Sequence, residues 1–475
     1  MSVSETCLGM SDALSTMAGL LTPELDADVR ERLQTYAWRF RRLFPRSDQF
    51  RQGGIYLHGL LLDGERKSIQ PLSQRVPGGD EQRLQQFVSQ SPWDAAPVLR
   101  EYRACMTEAL ADENGLIVID DTGFAKQGKH SVGVKRQYSG TLGKVGNCQV
   151  AVSLHYANGK ADYPLALRLY LPEVWTNDPD RLAKARVPEL ERGFKPKWQI
   201  ALDLLDTVRE EGLPHAAVVA DAGYGAASEF RAGLEARGER YLVGLTGEEA
   251  VFADPPHWVA ATPKSPRGRP PTRAYLAEDA PRPIAVSTLA ATLPRTPLSW
   301  RTGTKGALAA EFAWVRVWIA HDWQRGVPVD ELVPAEEAAR WLLVEWRTDG
   351  TIKYALSNLP AETAMSQAVY WWKERWQVEQ GYRQLKRELG LDHFEGRSWN
   401  GFHHHAAMTF LAYGFLALEQ HRAHDVTNTE DPEDSRSPVS GEAPHGAPVS
   451  PPCVAPCKPF SILPVASVAG HAAGI

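Results

Sequence analysis

The chain has 475 residues, 43% of them hydrophobic and 23% charged, with a formal net charge of −6. That length exceeds what one small core needs and predicts two or three domains of ordinary globular composition, which excludes a fibrous or wholly disordered protein. A globally basic nucleic-acid coat is excluded too. From Asp425 to Ile475, however, six acidic residues face only Arg436 and Lys458, so the rest of the chain is nearly neutral and has room for local basic patches.

Residues 1–20 carry no periodic pattern and are expected to be disordered. Residues 21–112 read as several helices, with a capped start at Thr22 and punctuation at Gly53-Gly54 and Pro77-Gly78-Gly79. The period then changes. GLIVIDDTG is a buried-strand pattern, and NCQVAVSLHY and YPLALRLYLPEVW flank Asn158-Gly159, a hairpin signal. A helix near Trp198–Glu211, the strand AAVVADAGYG, the helix ASEFRAGLEARG and the strand RYLVGL complete residues 113–248 as the first part of a mixed α/β core. Residues 249–362 read as a β-rich insertion containing WVRVWIA, RWLLVEW and IKYALSNL. Helices return over 363–424, and the Pro- and Ser-rich residues 425–475 are expected to be a disordered tail. Five scattered cysteines fit a reducing cytoplasm rather than a disulfide framework. The chain shows no signal-peptide pattern and no apolar run of bilayer length, so no membrane association is expected.

Two buried strands end in carboxylates, at Asp120-Asp121 and at Asp221. A buried-strand aspartate must be paired, hydrogen-bonded or bound to a cation; it can equally cap the helix that follows. At about 100° per residue, Trp372, Arg375, Glu379, Arg383 and Lys386 share one stripe of the helix WWKERWQVEQGYRQLKRELG. Such a stripe is commonly a solvated face with ion pairs, so each element alone leaves its role open.

Together they match a family. Trp372-x2-Arg375-x3-Glu379-x6-Lys386 resembles the Y-x2-R-x3-E-x6-K signature of the DDE transposases of bacterial insertion sequences, with Trp in place of Tyr. IVIDDTG resembles the strand ending in Asp-Thr, and VVADAGYG the strand whose final Asp starts a helix. The resemblance implies an RNase H-like mixed sheet flanked by helices, with a β-rich insertion and an N-terminal helical domain that binds DNA ends. It implies Asp121, rather than Asp120, together with Asp221 and Glu379 as catalytic metal ligands. Two Mg²⁺ ions, with Mn²⁺ as substitute, would sit roughly 3.5–4 Å apart and stabilise the attacking and leaving oxygens of a phosphodiester. Asp121 would contact both ions, and Asp221 and Glu379 one each. Trp372, Arg375, Arg383 and Lys386 would contact DNA. The implied activity is an endonuclease and transposase acting as a homodimer on terminal inverted repeats and target DNA, cytoplasmic and nucleoid-associated. The alternatives are an impaired, transposase-derived DNA-binding protein and a nuclease without strand transfer.

Between Thr122 and Ala161 the chain carries Lys126, Lys129, Lys135, Arg136, Lys144 and Lys160 and no acidic residue, a sign run that suits a DNA backbone beside Asp121. Lys264–Arg273 (KSPRGRPPTR) reads equally as a loop that tracks a phosphate backbone and as a flexible linker, and Arg301/Lys305 is a weaker case of the same kind. His403-His404-His405 is not expected to form one metal site, because neighbours on a helix point apart.

Overall fold

The computed structural model describes residues 27–260, 272–303 and 306–429. Thr22, Lys305, residues 1–20, nearly all of the basic 264–273 segment and the tail beyond 429 lie outside the described residues. The last described helix, Trp399–Thr429, passes the boundary expected at 424 by five residues.

Five helices open the described chain: Ala27–Trp38, Ser47–Leu61, Ile69–Arg75, Glu81–Ser89 and Ala95–Leu110. Asp80 and Asp94 cap the last two by accepting from the backbone N–H groups of Arg83 and Ala96. Pro77-Gly78-Gly79 separates helices as expected, but Gly53-Gly54 does not, since both lie inside Ser47–Leu61. The reason is close packing. A Cβ at Gly53 would meet Phe87 at 3.3 Å, and one at Gly59 in the same helix would meet Leu72 at 2.5 Å.

The strands of the core are β1 (Leu116–Ala125), β2 (Lys135–Ser139), β3 (Lys144–Ala157), β4 (Asp162–Leu169), β5 (Ala217–Ala220) and β6 (Tyr241–Leu245). The β3–β4 turn contains Gly159 at φ +76°, where glycine is favoured. β1 pairs antiparallel with β3 and parallel with β5, and β5 pairs parallel with β6. Along its outer edge β3 pairs with β2 over its first part and with β4 over its second. Antiparallel strands followed by two parallel crossovers, with helices Lys197–Glu210 and Ser228–Ala236 in the connections, make an RNase H-like core.

The further strands are β7 (Ala250–Phe252), β8 (Trp258–Ala260), β9 (Arg273–Leu276), β10 (Ile284–Ala285), β11 (Thr296–Gly303), β12 (Gly306–Ile319), β13 (Val327–Pro328), β14 (Arg340–Trp346) and β15 (Ile352–Ser357). Within the β-rich insertion, β8, β9 and β13 form a small three-stranded sheet of their own, and the rest extend the core sheet. β15 pairs with β6, β14 with β15, and β12 with β14, so the core sheet continues outward to twelve strands.

Alternation along β1 and β5 fills two separate cores. Leu116, Val118, Ala217 and Val219 pack with Val369, Trp372 and Val378 of the helix Met365–Arg387. Ile117, Ile119, Val218 and Ala220 pack on the other side with Ile200, Leu202 and Leu205 of Lys197–Glu210. This second core also takes in the N-terminal helices and Trp399–Thr429, so the helical region and the sheet share one apolar interior.

Candidate active site

The register of β1 on β5 decides which carboxylates meet. Val118 pairs with Val219 and Ile119 with Ala220, so Asp120 and Asp221 are the next residues at the strand exits. Both continue the parity of Val118 and Val219 and therefore face the helix Met365–Arg387. Burial pushes the Asp120 carboxyl up to about 7; Arg375 opposes that rise and the charge of Asp221 adds to it. One Asp120 oxygen accepts from the Asp121 N–H at 2.8 Å, and an Asp221 oxygen accepts from the Gly223 N–H at 2.9 Å.

Asp121 continues the opposite parity. Its carboxylate is held by Lys197 Nζ at 2.5 Å, on the helix Lys197–Glu210 across the sheet. The resemblance had implied Asp121, rather than Asp120, beside Asp221 and Glu379; the alternation set by Leu116 and Val118 instead places Asp120 on the face of Asp221.

The helix Met365–Arg387 lies across the exits of β1 and β5 and is seated along its whole length. Trp372 is 7% exposed and donates its indole N–H to Glu345 at 3.0 Å. Expected at DNA, it is a core residue, and the position usual for a family tyrosine here ties the helix to β14. Glu345, 1% exposed, also holds Lys373, whose ammonium stands 4.0 Å from the Trp300 ring centroid, and Arg347 at 2.7 Å. Farther along, Gly381 permits a close approach, since a Cβ there would stand 2.9 Å from an Asp162 oxygen. Tyr382 hydrogen-bonds Ser153, the β3 residue opposite Asp120.

Arg375 sits on this helix near Asp120, its guanidinium 5.1 Å from the Trp372 ring centroid and its Nε buried without a hydrogen-bond partner. Lys386 donates to the Gly123 carbonyl at 2.8 Å and to the Thr141 hydroxyl at 3.2 Å, and burial lowers its pKa to about 8. Glu379 is exposed, on the turn between Arg375 and Tyr382, which both lie near Asp120. Among the described residues, no three His, Cys, Asp or Glu side chains are gathered as a metal cluster. The Asp120–Asp221 pair nevertheless suits a hard divalent cation, because two adjacent carboxylates, one raised by burial, gain from shared positive charge.

A family model described as DDE superfamily endonuclease matches residues 39–307, more than half of the chain. The chain belongs to that family. The match includes Asp120, Asp121 and Asp221 and stops before Glu379. The DDE chain is also 26% identical, over 234 residues, to the probable transposase for insertion sequence element IS701 of Microchaete diplosiphon, spanning 49% of this chain and 58% of that relative. A solved structure, the cryo-EM structure of a piggyBac transposase synaptic complex with hairpin DNA, aligns with 89% of this chain and 79% of that one at 10% identity and a TM-score of 0.32.

The remaining expected residues divide. Arg383 is exposed and hydrogen-bonds only Gln380 on its own helix. Lys126 is turned to the Phe394 carbonyl at 2.5 Å, and burial lowers its pKa. Lys129, Lys135 and Arg136 are exposed. In the N-terminal region Arg39 pairs with Glu101 and Glu108, and Arg46 with Asp48. The three histidines diverge as expected: His403 bonds the Trp399 carbonyl, His404 those of Val88 and Trp93, and His405 that of Gly390 and the Tyr56 hydroxyl. No helix among the described residues is long and apolar enough to cross a membrane. Sequence reading had no signal for Glu345, Lys197 or Ser153, whose partners lie far along the chain. The pairing of Asp120 with Asp221, by contrast, was accessible by counting both apolar runs from their buried ends.

Proposed function

We propose that this protein is a divalent-metal-dependent DNA transposase in which Asp120, Asp221 and Glu379 form the catalytic carboxylate set. The observation that carries the reading is the register-matched Asp120–Asp221 pair beneath a helix presenting Arg375, Glu379 and Lys386. Asp120 and Asp221 would hold the metal, with Glu379 completing the set from the helix once DNA is bound. Bound Mg²⁺ or Mn²⁺ would stabilise the attacking and leaving oxygens of a phosphodiester. Arg375, with an unpartnered Nε, and Lys386 orient the scissile strand by its phosphates. Lys197 keeps Asp121 on the far face, where it steadies the strand exit. The substrates proposed are the terminal inverted repeats of an insertion sequence, nicked to 3′-OH ends that are then joined to target DNA by a dimer holding two ends. Support for DNA as partner comes from family membership and from the acid-free run of Thr122–Ala161.

The test is incubation with Mg²⁺ or Mn²⁺ and labelled element ends, using wild type, Asp120→Ala and Asp121→Ala. Cleavage and joining by wild type, abolished by Asp120→Ala and retained by Asp121→Ala, is the expected result. Cleavage without joining would make the protein a nuclease, and binding without cleavage a transposase-derived regulator. Loss with Asp121→Ala and not with Asp120→Ala would return the site to the other face.

A further inference from the structure

The catalytic face of the sheet does not end at the helix. β3 carries it onward: Ser153 lies opposite Asp120, Ala151 opposite Thr122 and Gln149 opposite Phe124. Two and four residues farther along β3, on the same face, come Asn147, opposite Arg136, and Val145, opposite Tyr138. The Met365–Arg387 helix covers Phe124, with Lys386 Nζ 5.1 Å from its ring centroid, and its last turn reaches the hairpin tip through Lys386 and Thr141, leaving the β2–β3 strand pair itself uncovered. Tyr138 is 65% exposed and Val145 51%, an aromatic–aliphatic cross-strand pair open to solvent on an edge hairpin. Exposure of such a pair gains nothing for folding. An edge strand is also where unguarded apolar surface is a hazard.

The surroundings select the occupant. Arg136 shares the face of Tyr138; Lys135 and Lys144 emerge on the reverse, exposed, and no acidic residue occurs from Thr122 to Ala161. The hairpin is also fixed to the site. The Thr141 hydroxyl, at its tip, accepts from the Gly123 N–H and from Lys386, and Gly123 leaves room for Ser139, whose Oγ would stand 1.9 Å from a Cβ there. An exposed aromatic beside cations, rigidly joined to a phosphate-directed site, has the chemistry of a single-strand platform.

We propose that the β2–β3 hairpin is a DNA-strand contact of this site, with Tyr138 stacked on an unpaired base, Val145 beneath it, and Arg136, Lys135 and Lys144 on the flanking phosphates. The inference rests on the reading of the site as DNA-acting and extends it. The hairpin folds back toward β1, since the Ser139 and Thr141 hydroxyls both lie against Gly123, three residues beyond Asp120, and this sets Tyr138 close to the site.

Fluorescence anisotropy with labelled oligo(dT) of twenty nucleotides and a blunt duplex of equal length tests it, using the full chain and the variants Tyr138→Ala, Tyr138→Phe and Arg136→Ala. Tyr138→Ala is expected to weaken oligo(dT) binding by about 5- to 100-fold, to leave duplex binding and salt dependence unchanged, and to be rescued by Tyr138→Phe. Arg136→Ala should weaken both probes and reduce the salt slope by about one. Wild-type affinity in Tyr138→Ala, equal loss in Tyr138→Phe, or no oligo(dT) binding by wild type would each overturn the proposal. Cleavage assays run beside it keep the two readings apart. DNA cutting with an indifferent Tyr138 sinks the hairpin alone, and a Tyr138-dependent binder that never cuts sinks the catalytic reading alone.

Discussion

The two faces of the sheet differ in how they treat polar groups. On the face under Lys197–Glu210, the strand-exit charge Asp121 is closed by Lys197. On the face under Met365–Arg387, Asp120 and Asp221 lie together as like charges, Arg375 Nε lacks a partner, and both ring nitrogens of the buried His155 are unbonded. Burial of unpaired polar groups is costly, and fold stability alone gives no reason to place the cost on one face. On the proposed reading, the sheet separates a stabilising side from a working side, and adjacent residues of β1 fall on opposite sides of that division.

The sharpest way to break the comparison is to exchange the two aspartates' fates. Asp120→Asn or Asp221→Asn should abolish DNA cleavage by on the order of 10⁴-fold or more, as removal of a catalytic side chain does, while Asp121→Asn retains it. Single-turnover cleavage rates with Mn²⁺ measure this. Comparable losses at 120 and 121 would mean that both faces serve the chemistry.

A second effect concerns the seat of the helix. Glu345 is buried with Lys373, Arg347 and the Trp372 indole around it. Glu345→Gln leaves the Lys373 ammonium, itself only 11% exposed, short of its counter-charge. Breaking one partner of a buried pair costs about 3 to 5 kcal/mol, so urea unfolding should show a loss of that order. Glu345→Gln with unchanged stability would mean that the insertion does not hold the helix.

Titration of the working face comes next. Burial raises the Glu374 carboxyl to about 7, with Arg301 opposing. A carboxyl raised in the fold contributes stability that is present below its unfolded value near 4.5 and is lost as pH rises through 7. At pH 8 the cost is about 3 kcal/mol. Stability of Glu374→Gln relative to wild type should therefore improve by up to that amount between pH 4 and pH 8. A flat difference across that range would place Glu374 in contact with water or a stronger counter-charge.

Much of this was legible in the residues. The apolar runs of β1 and β5 and the Asn158-Gly159 turn are local signals, and local signals located the RNase H-like core. The helix stripe was legible because 3.6-residue periodicity needs no partner. What escaped was long-range. Whether Trp372 faces DNA or Glu345, twenty-seven residues away, is set by how β14 joins the sheet, and no spacing within the helix encodes that. The phase of Asp120 against Asp121 lay between these cases, written in Leu116 and Val118 but obscured by the Asp-Thr resemblance.

The smallest effect probes the stabilising face directly. Lys197 and Asp121 are 35% and 26% exposed, so water screens their ion pair. Pairs of this kind contribute from nothing measurable to about 1 kcal/mol. Lys197→Ala should therefore lower stability by no more than that, and Lys197→Ala with Asp121→Asn should be no worse than the larger single loss, since each removes the same contact. The decisive readout is cleavage. Freed from Lys197, Asp121 remains on the strand face opposite Asp120, with the sheet between it and the Glu379 helix, so the Lys197→Ala rate should stay within a few-fold of wild type. A large rise or fall would show that Lys197 governs the working side through the strand exit, and the division between the faces would then be a coupling rather than a separation.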